Sequence, residues 1–179
     1  MVKDQEYLEK KASYCLDLAK KLGVSAIIQP GGSINDNTII EVANKCKFFV
    51  YSGHGSTMGV NGNAGGICIN SMVSSYELIK SLRLKENALV IFKSVCRGAG
   101  SSAGDNTDIG ITEAKKRVTN YAYPFFEIGA SAYYANNYGA GAYNFLEDFL
   151  VSMGGRYDFT IDKIVFDVPT LKILLKKRV

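Results

Sequence analysis

Two short apolar runs limit what this chain can fold into more than any other feature. They are KFFVYS, residues 47–52, and ALVIFKSV, residues 88–95. Each is a nearly continuous series of apolar side chains, the pattern typical of a strand that is buried on both faces. Such strands occur in parallel sheets with helices on both sides, so the two runs favour an α/β fold.

The segments around these runs alternate between the helical and the extended pattern. Helices are expected at 4–22, 74–84, 112–129 and 141–153, with a short helix within 33–46 that follows Asn/Asp capping candidates. Further strands are expected at 24–28, 66–70, 130–137 and 160–168. Ser74 and Glu77 form a capping box for the third helix, and Pro124 is expected to kink the fourth helix or to start a new one. This order predicts a single three-layer α/β/α domain over residues 1–179, with a mostly parallel central sheet.

The chain opens on a helix rather than on a strand, which leaves one edge of the expected sheet without its first strand. An open edge exposes unpaired backbone groups, so something is expected to cover it. A second copy of the chain, a partner domain or the C-terminal strand at 160–168 would complete the sheet.

Composition and charge exclude several classes of function. Apolar residues make up 47% of the chain, charged residues 21%, and the net charge is +4. The lysines are scattered except in the C-terminal LKILLKKRV, so no nucleic-acid partner is expected. No apolar segment approaches the roughly 18 residues of a membrane span, and the charged N-terminus lacks a signal core. A cytoplasmic protein without a membrane partner is expected.

The cysteines give no sign of a disulfide framework or a metal site. Four cysteines are present, and in the cytoplasm they are expected to stay reduced. The chain has one histidine and no Cys-x-x-Cys pair, so the spacing of zinc ligands is missing. No metal ion or other cofactor is therefore expected.

The one histidine and one of the cysteines follow the two apolar runs. His54 comes two residues after the first run, in YSGHGS, and Cys96 comes directly after the second, in SVCRGAG. The loops that leave the carboxyl ends of parallel strands form the binding crevice of an open α/β sheet. If the two strands are neighbours, a thiol and an imidazole meet there, which is the minimum for an activated cysteine nucleophile.

Each of these side chains has an ordinary explanation when it is taken alone. A cysteine at a strand end is usually a small core residue, and a lone histidine is usually structural or merely exposed. Their joint placement favours a function, because glycines beside both residues let a substrate approach the backbone N–H groups. Backbone N–H groups are what an oxyanion hole requires.

The order of histidine before cysteine excludes several kinds of enzyme. Glutamine amidotransferases and papain-like peptidases need a histidine after the cysteine, and none follows Cys96. A Cys-x5-Arg phosphate loop fails because position 102 is serine. A nucleotide-binding domain using GAGSSAG, residues 98–104, stays open as an alternative, although no lysine or ribose-binding acid is placed for it.

The ordered set of motifs resembles the caspase-like (clan CD) cysteine peptidases, and the CHAT-type domains among them most closely. The resemblance covers residues 36–153 and lies in FFVYSGHG, GICIN, LVIFKSVCRGAG, PFFEIGASAYYANN and AYNFLEDFLVSM. It implies a cysteine endopeptidase in which Cys96 is the nucleophile and His54 donates a proton to the leaving amine. It also implies that the backbone N–H groups of Gly55 and Cys96 hold the oxyanion of a peptide or protein substrate.

Three further residues are candidates for substrate binding. Ser94 stands two positions before the cysteine, where some members of the family carry an acid that shapes the first specificity pocket. Asp105 and Asp108 follow Cys96 and would give a negative pocket for Lys or Arg, whereas a solvated turn or a helix cap is the simpler explanation of both. A catalytically silent member of the same family, acting as a binding or scaffold module, is the alternative to the enzyme.

Overall fold

A computed structural model describes residues 2–22, 35–56, 65–69, 72–74, 76–136 and 141–154. The described helices are α1 (Val2–Lys21), α2 (Asp36–Ala43), α3 (Tyr76–Ser81), α4 (Gly110–Glu127) and α5 (Gly141–Gly154). The described strands are β1 (Phe48–Ser52), β2 (Ile67–Ile69), β3 (Met72–Ser74), β4 (Ala88–Lys93) and β5 (Ala130–Asn136).

The three longest strands form one parallel sheet in the order β1-β4-β5. All six residues of the central strand β4 are buried, as its unbroken apolar pattern predicts. In β1, which is paired on one side only within the described sheet, Val50 is 37% exposed. The expectation that the first apolar run is buried on both faces is therefore wrong: among the described residues, α5 contacts Phe48 at the start of β1, whereas Val50 on the same face is exposed.

Helices cover both faces of this sheet and give it three layers. Side chains of a strand alternate between the faces, so Val90 and Phe92 of β4 belong to one hydrophobic cluster, whereas Leu89 and Ile91 belong to another. The first cluster includes residues of α2, α3 and α4, and the second includes Phe149 of α5. Helix α1 packs on α5 in a third cluster. The predicted three-layer α/β/α fold with a parallel sheet is confirmed.

A short antiparallel hairpin, β2 with β3, lies beyond the carboxyl end of β1. Its first strand was expected within 66–70, but its second strand was not, and Ser74 is the last residue of that second strand. The predicted capping box at Ser74 and Glu77 is therefore wrong. Cross-strand pairing with Ile67 places Ser74 in the hairpin, and helix α3 begins at Tyr76.

Helix α4 is a single helix that includes Pro124, so Pro124 does not start a new helix. A proline inside a helix removes one backbone hydrogen bond and costs about 3 kcal/mol. Tyr121 and Phe125, on either side of Pro124, are both fully buried in the core, and this packing keeps the helix continuous.

The predicted helices at 4–22 and 141–153, the short helix within 33–46 and the strand at 130–137 are confirmed to within a few residues. The strands expected at 24–28 and 160–168 lie outside the described residues. Within the part of the chain that the structure describes, no helix is both long enough and apolar enough to cross a membrane.

Candidate active site

The two loops singled out in the sequence leave the sheet side by side. Strands β1 and β4 are adjacent and parallel, with Ser52 paired to Lys93 at their carboxyl ends. His54 follows the end of β1 by two residues, and Cys96 follows the end of β4 by three. The loops that carry the imidazole and the thiol therefore meet at one edge of the sheet, where open α/β sheets bind ligands.

Gly55 brings the backbones of these two loops into direct contact. A Cβ atom placed on Gly55 would overlap the carbonyl oxygen of Cys96 and the hydroxyl of Tyr121, and it would lie 2.8 Å from Cγ1 of Val95. Any larger side chain would push the loops apart, so the close approach requires glycine at this position.

Tyr121 of helix α4 links the same two loops through its hydroxyl. Its oxygen lies 3.1 Å from the carbonyl oxygen of Ser56 and 3.1 Å from that of Cys96. Burial raises the pKa of Tyr121 to about 12, so the hydroxyl remains protonated at neutral pH and acts as the donor. Sequence reasoning missed this residue, because a tyrosine on the apolar side of a helix looks like any other core residue.

The backbone of His54 is fixed, while its ring is exposed. The carbonyl oxygen of His54 accepts hydrogen bonds from the hydroxyl of Tyr51 at 3.0 Å and from the N–H of Cys68 at 3.0 Å. The second bond joins the histidine loop to strand β2. The imidazole itself lies at the protein surface, where it can meet a substrate.

Cys96 is half-buried and sits in a sharply turned loop. Ser94 and Arg97, which flank it, both have a positive φ, 57° and 66°. Such angles cost non-glycine residues about 1 kcal/mol or more and are often concentrated at functional sites. Hydrogen bonds hold the turn: Ser94 N–H donates to the carbonyl of Asn136 at 2.9 Å, and Tyr133 donates to the carbonyl of Gly98 at 3.0 Å.

Two backbone donors at this edge have no acceptor. Among the residues that the structure describes, neither the N–H of Gly55 nor that of Cys96 has a hydrogen-bond partner. The described residues also contain no hydrogen bond between the His54 imidazole and the Cys96 thiol. The His54 ring and the Cys96 thiol are thus on adjacent loops but are not hydrogen-bonded to each other.

All four cysteines are free thiols, and three of them are poorly suited to nucleophilic attack. Burial raises the pKa of Cys46 to about 11 and also raises that of Cys15. Burial and the neighbouring Cys96 raise the pKa of Cys68. A thiol with a raised pKa carries little thiolate at neutral pH, and thiolate is the reactive form.

The three candidate substrate-binding residues have partners within the chain. Both carboxylate oxygens of Asp105 accept from Nη1 of Arg117, at 2.8 and 2.9 Å, and this guanidinium lowers the pKa of the carboxyl group. Asp108 accepts from the N–H of Gly110, at 2.9 Å, where helix α4 begins. Ser94 is held through its backbone, as described above. A role for any of them in binding substrate stays a prediction.

Comparison with known proteins does not place the chain in a family. No protein-family model matches it, and no curated protein matches it in sequence.

Proposed function

We propose that this protein is a cysteine endopeptidase of the caspase-like type, with Cys96 as nucleophile and His54 as proton donor. The observation that supports this most is the contact between the two loops at the carboxyl edge of β1 and β4. Gly55 lies against the Cys96 carbonyl, and Tyr121 connects both loops. A thiol and an imidazole on loops held in this way are placed to act on one substrate.

The reaction would proceed through a thioester. The thiol proton passes to the His54 imidazole through a water molecule, and the thiolate attacks the scissile carbonyl carbon. The carbonyl electrons move to its oxygen, which the free N–H groups of Gly55 and Cys96 would stabilise. As the C–N bond breaks, the His54 imidazolium gives its proton to the leaving amine. Water, deprotonated by His54, then hydrolyses the thioester and releases the thiolate.

The exposed position of His54 fits a proton donor to the leaving group. Such a residue gives its proton to the substrate nitrogen and needs no direct hydrogen bond to the cysteine, so it has to face the substrate. His54 is exposed in the described structure, which agrees with this role. A substrate peptide would lie between the two side chains.

The proposal extends to location and partners. Four free thiols agree with a reducing cytoplasmic environment. The substrate is a peptide or protein, and Ser94, Asp105 and Asp108 are proposed to influence which residue precedes the cleaved bond. Strand β1, the outer strand of the described part of the sheet, is where a second copy or a partner domain would extend the sheet.

A screen of fluorogenic peptides tests the enzyme directly. Wild type should cleave a subset of the library, and Cys96→Ala and His54→Ala should each lose at least about 10³-fold in kcat/KM. Cys46→Ala removes a half-buried thiol elsewhere and is the matched control, with cleavage unchanged. Cleavage that survives in Cys96→Ala would exclude the proposed nucleophile.

The second candidate function is a catalytically silent binding module of the same fold. One observation favours it: the described residues contain no hydrogen bond between His54 and Cys96. A module of this kind would cleave no peptide, and a peptidyl electrophile would not label it. Light scattering would then show whether it binds a second copy at the edge of β1.

A further inference from the structure

A tyrosine near the end of strand β1 reaches the backbone of the histidine loop. The hydroxyl oxygen of Tyr51 lies 3.0 Å from the carbonyl oxygen of His54 and 2.7 Å from that of Cys68. It also accepts a hydrogen bond from the N–H of Cys68, at 3.1 Å. Burial raises the pKa of Tyr51 above its usual range, so the hydroxyl is protonated at neutral pH and can donate. One side chain therefore joins the histidine loop to strand β2.

Gly53 lets the ring of Tyr51 fold back over the chain. A Cβ atom placed on Gly53 would lie 2.5 Å from the hydroxyl oxygen of Tyr51 and 2.8 Å from Cζ of its ring. Real Cβ atoms are almost never found this close to another heavy atom, so a larger residue would displace the ring. The two glycines that flank His54 thus have separate roles, because Gly53 leaves room for Tyr51 and Gly55 leaves room for the carbonyl of Cys96.

The ring of Tyr51 is held by the central strand of the sheet. Its centre lies 5.4 Å from that of Phe92 in an edge-to-face arrangement, and Phe92 is fully buried. Tyr121, which contacts the cysteine loop, packs on the same ring at 6.0 Å. A single buried phenyl ring therefore supports two tyrosines, one for each loop of the candidate active site.

The position of the His54 ring depends on the backbone that carries it. Within the part of the chain that the structure describes, every hydrogen bond of His54 is made by its backbone carbonyl, with Tyr51 and with the N–H of Cys68. The residue is exposed, so its surroundings restrict the ring little. A group that transfers a proton has to be placed closely, since a displacement of about 1 Å can lower the rate about 100-fold.

We infer that Tyr51 is a positioning residue for His54, which holds the imidazole where it can protonate the leaving amine of a substrate. Tyr51 acts through the carbonyl of His54 and does not touch the substrate itself. The inference rests on the proposed peptidase and divides its site in two. Tyr51 positions the histidine, and Tyr121 positions the cysteine loop.

The loss of each tyrosine hydroxyl should depend differently on the leaving group of the substrate. An amide needs a proton from His54 as its C–N bond breaks, whereas p-nitrophenolate leaves an ester without one. Attack by Cys96, with its proton passed to His54, is common to both reactions. Losing a contact that positions only the histidine should therefore slow amides most, and losing one that positions the cysteine should slow amides and esters alike.

Cleavage of one peptide as its aminomethylcoumarin amide and as its p-nitrophenyl ester tests this difference. Tyr51→Phe keeps the ring and removes the hydroxyl, so kcat/KM should fall about tenfold or more for the amide and less than about threefold for the ester. Tyr121→Phe should lower both values by similar factors. Tyr134→Phe loses a hydroxyl away from both loops and should change neither value. Equal losses for the two substrates in Tyr51→Phe, or no loss for either, would overturn the inference.

Gly53→Ala tests the same contact without removing the hydroxyl. Its Cβ would displace the ring of Tyr51, which cannot turn aside freely because it packs on Phe92. The amide should again lose more activity than the ester. Gly104→Ala is the matched control and should cleave both substrates as wild type does, because its Cβ would meet only the Ser102 hydroxyl at 3.8 Å. An unchanged ratio of amide to ester cleavage in Gly53→Ala would contradict the role of Tyr51.

A measurement that needs no cleavage separates this inference from the peptidase. His54 is the only histidine of the chain, so untagged protein labelled with carbonyl-¹³C histidine gives a single carbonyl signal by NMR. This signal should move upfield in Tyr51→Phe, because the carbonyl loses one of its two hydrogen bonds, and should stay in place in Tyr134→Phe. An unmoved signal in Tyr51→Phe, with wild type cleaving peptides, would overturn the inference alone. A moved signal with no cleavage by wild type would instead overturn the peptidase on which the inference rests.

Discussion

The hydroxyl of Tyr121 lies 3.1 Å from the carbonyl oxygen of Cys96, and this contact fixes the cysteine loop against helix α4. The same hydroxyl reaches the carbonyl of Ser56 in the histidine loop. We expect Tyr121→Phe to lower the free energy of unfolding by about 1–2 kcal/mol, because two carbonyl groups lose their buried donor. It should also slow modification of Cys96 by a peptidyl electrophile, because the cysteine loop would lose the hydrogen bond that holds it against α4.

Tyr134→Phe is the control for this variant. Tyr134 packs against Phe145, away from both loops, so its loss of a hydroxyl should leave the labelling rate of Cys96 unchanged. Urea unfolding and labelling kinetics measure the two effects separately. A Tyr121→Phe protein that is less stable but labelled at the wild-type rate would show that Tyr121 only supports the fold.

Gly55→Ala should separate the two loops. The new Cβ would overlap the Cys96 carbonyl, a backbone atom that cannot move aside as a flexible side chain can. We expect a loss of about 2–3 kcal/mol in the free energy of unfolding and loss of peptide cleavage. Gly104→Ala is the matched control, because its Cβ would meet only the Ser102 hydroxyl at 3.8 Å and should change stability by less than about 0.5 kcal/mol.

The pairing of Asp105 with Arg117 should make stability depend on acid pH. The guanidinium lowers the pKa of Asp105 in the folded protein below its value in the unfolded chain. The ion pair therefore stabilises the fold at any pH above the unfolded-state pKa, and this stabilisation is lost as pH falls through the lower pKa of the folded protein. Wild type should therefore lose stability below about pH 4 more steeply than Asp105→Asn. Urea midpoints measured from pH 2 to 7 give the comparison. Arg117→Met should remove the same dependence, and an identical slope in all three proteins would contradict the pairing.

Alkylation of the thiols should depend on their burial. With a pKa of about 11, Cys46 carries roughly one part thiolate in a thousand at pH 8, so iodoacetamide should modify it slowly. Its rate should rise about tenfold per pH unit up to that pKa. Peptide mapping after timed alkylation measures each cysteine. Fast modification of Cys46 at pH 7 would show that its surroundings are more open than the structure indicates.

Much of the fold is predictable from local pattern. The buried strand β4 and helix α5 carry their periodicity within a few consecutive residues, and both were expected where they occur. The capping box at Ser74 and Glu77 misled because strand β3 exists only through its pairing with β2, a tertiary relationship. Of the two outcomes expected at Pro124, the start of a new helix is excluded, because core packing around Tyr121 and Phe125 outweighs the local cost of a proline in a helix.

Part of the site was also predictable from local pattern. The sequence indicates that His54 and Cys96 each follow an apolar strand, but it does not show that β1 and β4 are neighbours, which depends on sheet order. Tyr121 was missed because its importance comes from what lies opposite it in space, the two carbonyl groups that its hydroxyl contacts.

Covalent trapping with a panel of peptidyl acyloxymethyl ketones tests most directly whether this edge of the sheet is a peptidase site. These compounds place a ketone where the scissile carbonyl of a substrate would lie. The thiolate attacks the adjacent methylene carbon and displaces the carboxylate, which leaves a thioether that is mapped by mass spectrometry. We expect at least one member of the panel to modify Cys96 with a stoichiometry near one, and to modify neither Cys68 nor the Cys96→Ala protein. No adduct with any member, or equal labelling of Cys68 and Cys96, would contradict the proposed nucleophile.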